Sequence, residues 1–260
     1  MDIIINNTLF TGKLLIHLPT VDSTNNYAKA YIAKNSPIDG TVILADEQFA
    51  GRGQVGNTWI AESHKNLTFS IIYKTDFLLA SEQFWLNKAI SIGIAVATSK
   101  FIQNKIPHQP NRIAVKWPND IFYDANKMAG ILIENTIQGL HLKYSIIGIG
   151  FNINQTYFPE NIRATSLHTS MDSHIDKYEF LEQLLSSIEK YLLLLKNKHF
   201  ETLKQLYTNF LYQYNCWADY QKGDSCFKGK ILDVDAMGYL QMETANGMEQ
   251  FGFKEIRFIV

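Results

Sequence analysis

Residues 112–154, a run of apolar segments joined by very short turns, limit the possible folds of this chain most strongly. Four segments rich in β-branched and aromatic residues alternate there with turn formers, such as Pro-Asn at 118–119 and Gln-Gly at 138–139. Parallel strands need a long crossover, so connections this short favour antiparallel neighbours. The strands are expected at 112–117, 120–124, 129–136 and 142–154.

Segments with helical spacing of apolar residues flank this run. Asp22 or Ser23 can cap the first helix, and each helical segment repeats apolar side chains every three or four positions. The helices are expected at 22–35, 82–104 and 177–215, and two further strands at 41–48 and 66–73. Strands and helices mix along the chain, which predicts an α+β or α/β fold around a mixed, largely antiparallel sheet.

The character of the sequence changes after Cys216. Residues 216–260 hold five glycines and several short strand-like runs between turn signals such as Asn246-Gly247. This pattern predicts a small β-barrel or sandwich. The chain is therefore expected to divide into a domain at 1–215 and a smaller one at 216–260.

Composition excludes several classes of function. With 24 basic and 25 acidic side chains the net charge is -1, so bulk charge does not attract nucleic acid or an anionic membrane. No apolar run approaches the roughly 18 residues of a membrane span, and the start, MDIIINNTLF, lacks the basic flank of a signal peptide. Cys216 and Cys226 lack metal-type spacing and are expected as reduced thiols in a cytoplasmic protein.

The strip GRGQVG at 51–56 has the spacing G-x-G-x-x-G. A dinucleotide-binding turn would open a helix, and a protein kinase would carry H-R-D and D-F-G motifs; here a strand follows and both motifs are missing. No P-loop pattern occurs either. The glycines leave backbone amides uncovered, and Arg52 offers a charged fork for a carboxylate or phosphate. On this strip alone, a surface hairpin without a ligand remains the alternative.

Three further stretches carry candidate site residues. The turn of VKWPND presents Lys116, Asn119 and Asp120, and Lys127 follows just before AGILIE. GIGFNIN (148–154) places two glycines in an expected buried strand, where glycine usually marks the close approach of a ligand or another backbone. Singly, the lysines could be solvated and the aspartate a turn former. Together they suit activation of a carboxylate at a nucleotide phosphate.

Five motifs in this order resemble those of biotin protein ligases. They are DSTN, Q-x-A-G-R-G-Q-x-G-x-x-W, K-W-P-N-D, K-M-A-G-I-L-I-E and G-I-G-F-N-I-N, within residues 15–155. The resemblance implies a catalytic domain akin to class II aminoacyl-tRNA synthetases, followed by an SH3-like β-barrel domain. It implies that biotin, ATP and Mg²⁺ give biotinyl-5′-AMP and pyrophosphate. A lysine of a biotin carboxyl carrier domain then takes the biotin and releases AMP.

The resemblance also implies roles for individual residues. Biotin is expected to contact Ser23, Thr24, Asn25, Gln48, Arg52, Gly53, Gln54, Lys127, Gly130 and Gly148. ATP or the adenylate is expected to contact Gly51, Arg52, Gln54, Trp59, Asn66, Asn119, Lys127, Gly150 and Asn152. The expected catalytic residues are Arg52, Lys116, Asp120 and Lys127. Lys127 would stabilise charge developing at the reacting phosphate, and Asp120 would either help the acceptor lysine lose its proton or bind the metal.

Two features depart from the usual pattern of the family. Many members carry arginine where this chain has Gln54, which donates hydrogen bonds without a charge and would hold the adenylate less firmly. Only about 20 residues precede DSTN, too few for the helix-turn-helix domain of bifunctional members, so no DNA partner is expected. An exposed edge on the strands of 112–154 would be compatible with a homodimer.

Three other interpretations of the motifs stay open, one of which is an α/β protein whose motifs are fortuitous. A lipoate or octanoate ligase or transferase shares the catalytic fold, but it would be expected to lack the G-R-G-x-x-G strip and K-W-P-N-D as they stand here. A non-catalytic biotin-binding module would have lost catalytic groups, whereas Arg52, Asp120 and Lys127 are all present. Biotin ligation is therefore the leading interpretation.

Overall fold

The computed structural model describes residues 3–259, so residues 1 and 260, the outer limits of the two predicted domains, lie outside it. The described chain forms a seven-stranded sheet, a smaller five-stranded sheet and five α-helices. In chain order they are β1 (Leu15–Val21), α1 (Thr24–Lys34), β2 (Thr41–Gln48), β3 (Leu67–Lys74), α2 (Phe84–Lys105), β4 (Ile113–Lys116), β5 (Asp120–Tyr123), β6 (Asn126–Gln138), β7 (His141–Phe151), α3 (Leu167–Met171), α4 (Lys177–Lys196), α5 (Phe200–Phe210), β8 (Trp217–Lys222), β9 (Ser225–Val234), β10 (Leu240–Thr244), β11 (Gly247–Phe251) and β12 (Arg257–Phe258).

The large sheet has the strand order β1-β2-β3-β7-β6-β5-β4. Only the pair β1–β2 is parallel, and the other neighbours are antiparallel. The predicted mixed, largely antiparallel sheet is thus confirmed. β1 was not predicted, because its sequence LIHLPTV is only partly buried and contains Pro19. Proline is tolerated in an edge strand, where one row of hydrogen bonds is not needed.

Alternation along the central strands divides the large sheet into two faces. Val42 and Leu44 of β2 pack in the main core, which also contains the buried faces of α2 and α4. Ile43, between them, packs with Ala28 of α1 in a separate cluster on the opposite face. Successive strand residues point to opposite sides, so α1 and the long helices cover different faces.

The single helix predicted over 177–215 is wrong: the structure has α4 and α5, separated at residues 197–199. Lys198 there has a φ of 56°, which a right-handed helix cannot accommodate. Leu195 and Leu203, on either side of the break, are both fully buried in the same core. The apolar spacing therefore continues across a turn and conceals it in the sequence.

The small sheet is antiparallel, with the order β11-β10-β9-β8-β12. The β-rich prediction for this region is confirmed, but an SH3-like barrel is not, because the described strands pair as an open series. The predicted boundary at 215/216 falls between α5 and β8. The indole of Trp117 donates to the carbonyl of Gly238 at 2.9 Å, so the small sheet is tied directly to the turn between β4 and β5.

Two other expectations concern thiols and membranes. Cys216 and Cys226 are both free and exposed, in agreement with the expected unbridged thiols. Within residues 3–259, no helix combines the length and the apolar character needed to cross a bilayer.

Candidate active site

A cavity of about 490 Å³ opens on the α1 face of the large sheet. Its lining joins the start of α1, the glycine strip, the turn between β4 and β5, and the central strands. Fifteen of the predicted site residues line it. They are Ser23, Thr24, Asn25, Gln48, Arg52, Gly53, Gln54, Trp59, Lys116, Asn119, Asp120, Lys127, Gly130, Gly148 and Gly150.

Strand register explains why residues from distant motifs meet. Successive cross-strand partners on β3, β7, β6, β5 and β4 are Thr68, Gly150, Gly130, Asp120 and Lys116. Directly opposed residues point to the same face of a sheet. These five residues therefore form one row across the sheet. Its small residues form the floor of the cavity, and the Asp120 carboxylate and the Lys116 amine lie at its end.

The central glycines give room to protein side chains. A Cβ on Gly148 would lie 2.3 Å from Oδ1 of Asn25, and a Cβ on Gly150 would lie 2.3 Å from the Trp59 ring. Both distances are far below van der Waals contact. The expected close approach is present, and the groups that approach are Asn25 and Trp59.

The start of α1 carries a buried hydrogen-bonded network. The side-chain oxygen of Gln48 accepts from the backbone N of Thr24 at 2.7 Å and from its hydroxyl at 3.0 Å. Ser70 of β3 lies 2.8 Å from that hydroxyl and donates to Oδ1 of Asn25 at 2.6 Å. Ser23, at the N-cap, makes no side-chain cap bond, and it lines the cavity. Satisfied polar groups of this kind keep a fixed arrangement.

Asn25 is held on both sides of its amide group. Its Nδ2 donates to Oε2 of Glu134 at 2.7 Å and to the Leu132 carbonyl at 3.3 Å, and its Oδ1 accepts from Ser70. Both amide hydrogens are thus engaged. In this arrangement Asn25 ties the start of α1 to β3 and β6.

The glycine strip folds back on itself as a narrow hairpin. The N–H of Gly53 donates to the Asn57 carbonyl at 2.7 Å, and the N–H of Trp59 donates to the Gly51 carbonyl at 3.0 Å. A 3₁₀ turn at Gln54–Gly56 forms the tip. Gly51 lies at the base and does not line the cavity, whereas Gly53 and Gln54 do.

Arg52 points from this hairpin towards β6. Its guanidinium lies 2.8 Å from Oε1 of Glu134 and donates to Oδ1 of Asn26 at 2.7 Å. The arginine side chain is 41% exposed and the glutamate 30%. The Arg52 side chain thereby links the strip to the large sheet and to α1.

Lys127 and Asp120, predicted as catalytic, form an ion pair. Nζ of Lys127 lies 2.7 Å from Oδ1 of Asp120 and 5.6 Å from the centre of the Trp59 ring. Both side chains are partly exposed and line the cavity. The amine can therefore meet an anion while it keeps its carboxylate partner.

Lys116 has more apolar surroundings. Its Nζ lies 4.9 Å from the Phe122 ring and 5.2 Å from the Phe258 ring. Burial lowers the pKa of Lys116; the charge of Asp120 opposes this effect and the charge of Lys127 adds to it. A poorly solvated cation gains strongly from an incoming anion, which suits Lys116 to a phosphate.

Asn66 and Asn152, predicted at the adenylate, do not line the cavity. Oδ1 of Asn66 accepts from the backbone N of Ile153 at 2.9 Å, and Nδ2 of Asn152 donates to a backbone carbonyl at 3.0 Å. Asn119 lines the cavity, but its Nδ2 donates to the Ile131 carbonyl at 2.8 Å. Each of the three amides fixes backbone next to the site.

The small sheet adds residues that no sequence motif indicated. Lys254, Ile256, Arg257 and Phe258 line the cavity, and β12 pairs with β8. This contribution depends on how the small sheet packs against the turn between β4 and β5. Only the three-dimensional structure could reveal it.

The cavity is locally cationic although the chain as a whole is nearly neutral. Among residues 3–259 its lining contains one carboxylate, Asp120, and five basic side chains, which are Arg52, Lys116, Lys127, Lys254 and Arg257. A concave, low-dielectric surface of one sign concentrates ligands of the opposite sign. Among residues 3–259, no group of three or more His, Cys, Asp or Glu could hold a metal alone.

The chain is similar to proteins of known activity. The Biotin/lipoate A/B protein ligase family matches residues 18–152. The bifunctional ligase/repressor BirA of Bacillus spizizenii is 29% identical over 244 residues, which cover 92% of this chain and 72% of that protein. The biotin--[acetyl-CoA-carboxylase] ligase of Mycobacterium tuberculosis is 31% identical over 169 residues, 64% of this chain and 59% of that protein. The solved biotin protein ligase from Aquifex aeolicus in complex with biotin and ATP has a TM-score of 0.72 and 28% identity, and the match covers 95% of this chain and 100% of that chain.

Proposed function

Because the chain belongs to the Biotin/lipoate A/B protein ligase family, we propose that it is a biotin protein ligase. It activates biotin with ATP as biotinyl-5′-AMP and transfers the biotin to a lysine of a biotin carboxyl carrier domain. One observation carries this function: a single cationic cavity joins the polar start of α1, the Arg52 strip and the row of Asp120 and Lys116. A structural relative that binds biotin and ATP supports the same substrates.

We propose that the ureido ring of biotin binds at the start of α1. Ser23, Thr24 and Gln48 line the cavity there, and all belong to a buried or half-buried polar surface. The network through Ser70 fixes the polar groups of Thr24 and Gln48 before the ligand arrives. The hydrocarbon tail then crosses the floor at Gly130 and brings the carboxylate to Lys127.

In the first half-reaction, a carboxylate oxygen of biotin attacks the α-phosphorus of ATP, and the bond to pyrophosphate breaks. In this proposal Lys127 contacts both the carboxylate and the phosphate, and Lys116 and Arg52, which line the same cavity, add positive charge. Fixed cations stabilise charge as it develops and need no reorganisation. Magnesium is held in proteins by one or two carboxylates plus substrate phosphates, so Asp120 fits an ion that ATP brings. Such an ion would neutralise phosphate charge.

In the second half-reaction, the neutral amine of the carrier lysine attacks the biotinyl carbonyl, an amide bond forms and AMP leaves. The ammonium group of the carrier lysine must lose a proton to become this amine. Among the described residues that line the cavity, Asp120 is the carboxylate that could take the proton. Its ion pair with Lys127 would keep that carboxylate beside the amine that is proposed to contact the anhydride.

The wider assignment follows the same lines. Residues 1–215 are proposed as the catalytic domain, and 216–260 as a C-terminal domain that completes the cavity wall. The proposed location is the cytoplasm, with the carrier domain as partner and no DNA. The sheet edge at β4 is partly covered, because Val115 bridges Leu211, so a homodimer through this edge would have to pair beyond that bridge.

Transfer to an acceptor tests this function. Purified protein with ATP, Mg²⁺, biotin and a biotin carboxyl carrier domain should add the mass of one biotinyl group to one lysine. The same carrier with arginine at the acceptor lysine should remain unmodified. The function is wrong if a known biotin ligase modifies the carrier and this protein, folded and at equal concentration, does not.

Gln54→Arg is expected to slow the escape of the adenylate by about tenfold, because a charge-assisted hydrogen bond would replace a neutral one. Gln54 lies in the 3₁₀ turn at the tip of the strip and lines the cavity, so a guanidinium there would face the phosphate. Release of labelled biotinyl-5′-AMP from the preformed complex measures the rate. Gln54→Met, which lacks donors, is the matched variant and should release faster; equal rates for all three proteins would contradict the prediction.

A further inference from the structure

Glu134 lies outside the lining of the cavity, yet it contacts two residues within it. Its Oε2 accepts from Nδ2 of Asn25 at 2.7 Å, and its Oε1 lies 2.8 Å from Nη2 of Arg52. A second contact joins Nη1 of Arg52 to Oε2 at 3.3 Å. One carboxylate thus serves both the start of α1 and the glycine strip.

These contacts complete a continuous chain of hydrogen bonds. It begins where biotin is placed and ends at the strip, and every link is 3.0 Å or shorter. In order its members are Gln48, Thr24, Ser70, Asn25, Glu134, Arg52 and Asn26. Within this series of hydrogen bonds Glu134 joins the buried polar network to the strip, and Asn26 of α1 contacts Arg52 as well.

The strand register explains how Glu134 reaches both Asn25 and Arg52. It lies opposite Ile146 of β7, and Ile146 packs against Ala28 of α1 on the face that carries the cavity. Two residues earlier on β6, Leu132 lies opposite Gly148, over which the Asn25 side chain sits. The carboxylate therefore emerges one row beyond the cavity floor, beside both partners.

The contact between Glu134 and Arg52 affects the position of the glycine strip more than it affects the stability of the fold. Ion pairs at this exposure contribute little to folding, so the fold does not depend on the contact between Glu134 and Arg52. The strip is different, because Gly51 and Gly53 flank Arg52 and leave its backbone many conformations. A weak restraint at that one side chain can decide where the strip lies.

We propose that Glu134 is a positioning residue that couples the biotin-binding end of α1 to the placement of the glycine strip. The network already holds Thr24 and Asn25, so biotin bound against them strengthens the restraint on Glu134, and Glu134 in turn holds Arg52 over the ligand. This role rests on the proposed biotin ligase function and extends it to a residue outside the cavity.

The test is Glu134→Gln in the full chain. The amide can still meet Asn25, but it cannot form the ion pair with Arg52. We expect the KM for biotin in ATP–pyrophosphate exchange to rise about tenfold, with the KM for ATP changed less than twofold. Glu179→Gln is the matched control, because it removes an exposed ion pair with Lys105 at 3.4 Å, and it should behave as wild type.

Trypsin gives a readout that a purely structural role would not move. Cleavage after Arg52 requires its guanidinium to leave Glu134, so the unliganded Glu134→Gln protein should be cut there several-fold faster at an unchanged Tm. Effects of Glu134→Gln and Arg52→Gln on the KM for biotin should be less than additive. An unchanged KM and cleavage rate, full additivity, or a loss of activity that only follows a lowered Tm would overturn the role of Glu134. Wild-type protein without biotin-dependent exchange would instead overturn the function itself.

Discussion

Replacing Lys127 with methionine should lower the kcat of biotin-dependent ATP–pyrophosphate exchange by roughly 10³-fold. The side chain keeps its length but loses the charge that lies in the cavity beside the reacting carboxylate and phosphate. Asp120 would lose the partner of its buried Oδ1, but its side chain is 22% exposed and borders the open cavity, so folding should survive. Initial rates at saturating biotin and ATP measure the effect.

Lys105→Met is the matched control for this variant. Lys105 also pairs with a carboxylate, that of Glu179, but at an exposed site at the end of α2. Its rate should stay within twofold of wild type. If Lys127→Met keeps more than a tenth of the wild-type kcat, Lys127 does not stabilise the transition state as proposed.

Gly150→Ala should lower the same exchange rate by about 100-fold, because a displaced cavity wall misplaces the reacting groups. The added Cβ would lie 2.3 Å from the ring of Trp59, which must then leave its position against β7. The overpacking should also cost about 1–3 kcal/mol of stability, which a urea titration measures. The rate effect should remain under conditions where the variant is fully folded.

Gly252→Ala provides the comparison for Gly150→Ala. A Cβ on Gly252 would meet its nearest neighbours at 3.5 Å, an ordinary contact, and its φ lies outside the left-handed range. Its activity should match wild type. Wild-type exchange by folded Gly150→Ala would show that the position of Trp59 against the sheet is not needed for adenylation.

Periodicity and turn chemistry predicted most of the fold. β2 at Thr41–Gln48 agrees with the sequence expectation at both ends, because a buried apolar run at 41–45 marks the strand and the glycine strip follows soon after it. β1 was missed because it is an edge strand with a proline and few buried residues. The break between α4 and α5 was missed because both helices bury leucines in one core.

The site could be predicted only as a set of residues. Motifs identified Lys116, Asp120 and Lys127, but register on four strand pairs is what aligns two of them with the glycine floor. Ser70 lies in ordinary strand sequence, and Glu134 is the last residue of K-M-A-G-I-L-I-E, but the roles of both come from contacts across the sheet. No local pattern encodes such contacts, which depend on tertiary packing.

The glycines illustrate how the structure changes an interpretation. The sequence indicated the close approach of a ligand or another backbone at positions 148 and 150, and the family resemblance favoured the ligand. In the structure Asn25 fills the space at Gly148 and Trp59 the space at Gly150. The ligand is then expected to meet these side chains, so a change at either glycine acts indirectly on binding.

Biotin-dependent exchange of labelled pyrophosphate into ATP tests the proposed activity most directly. Purified protein with Mg²⁺ should catalyse exchange when biotin is present, and neither lipoate nor octanoate should replace it. Such a result would establish activation of the biotin carboxylate at the α-phosphate. Exchange with lipoate or octanoate in place of biotin, or no exchange by folded protein with any of the three acids, would contradict the assignment as a biotin ligase.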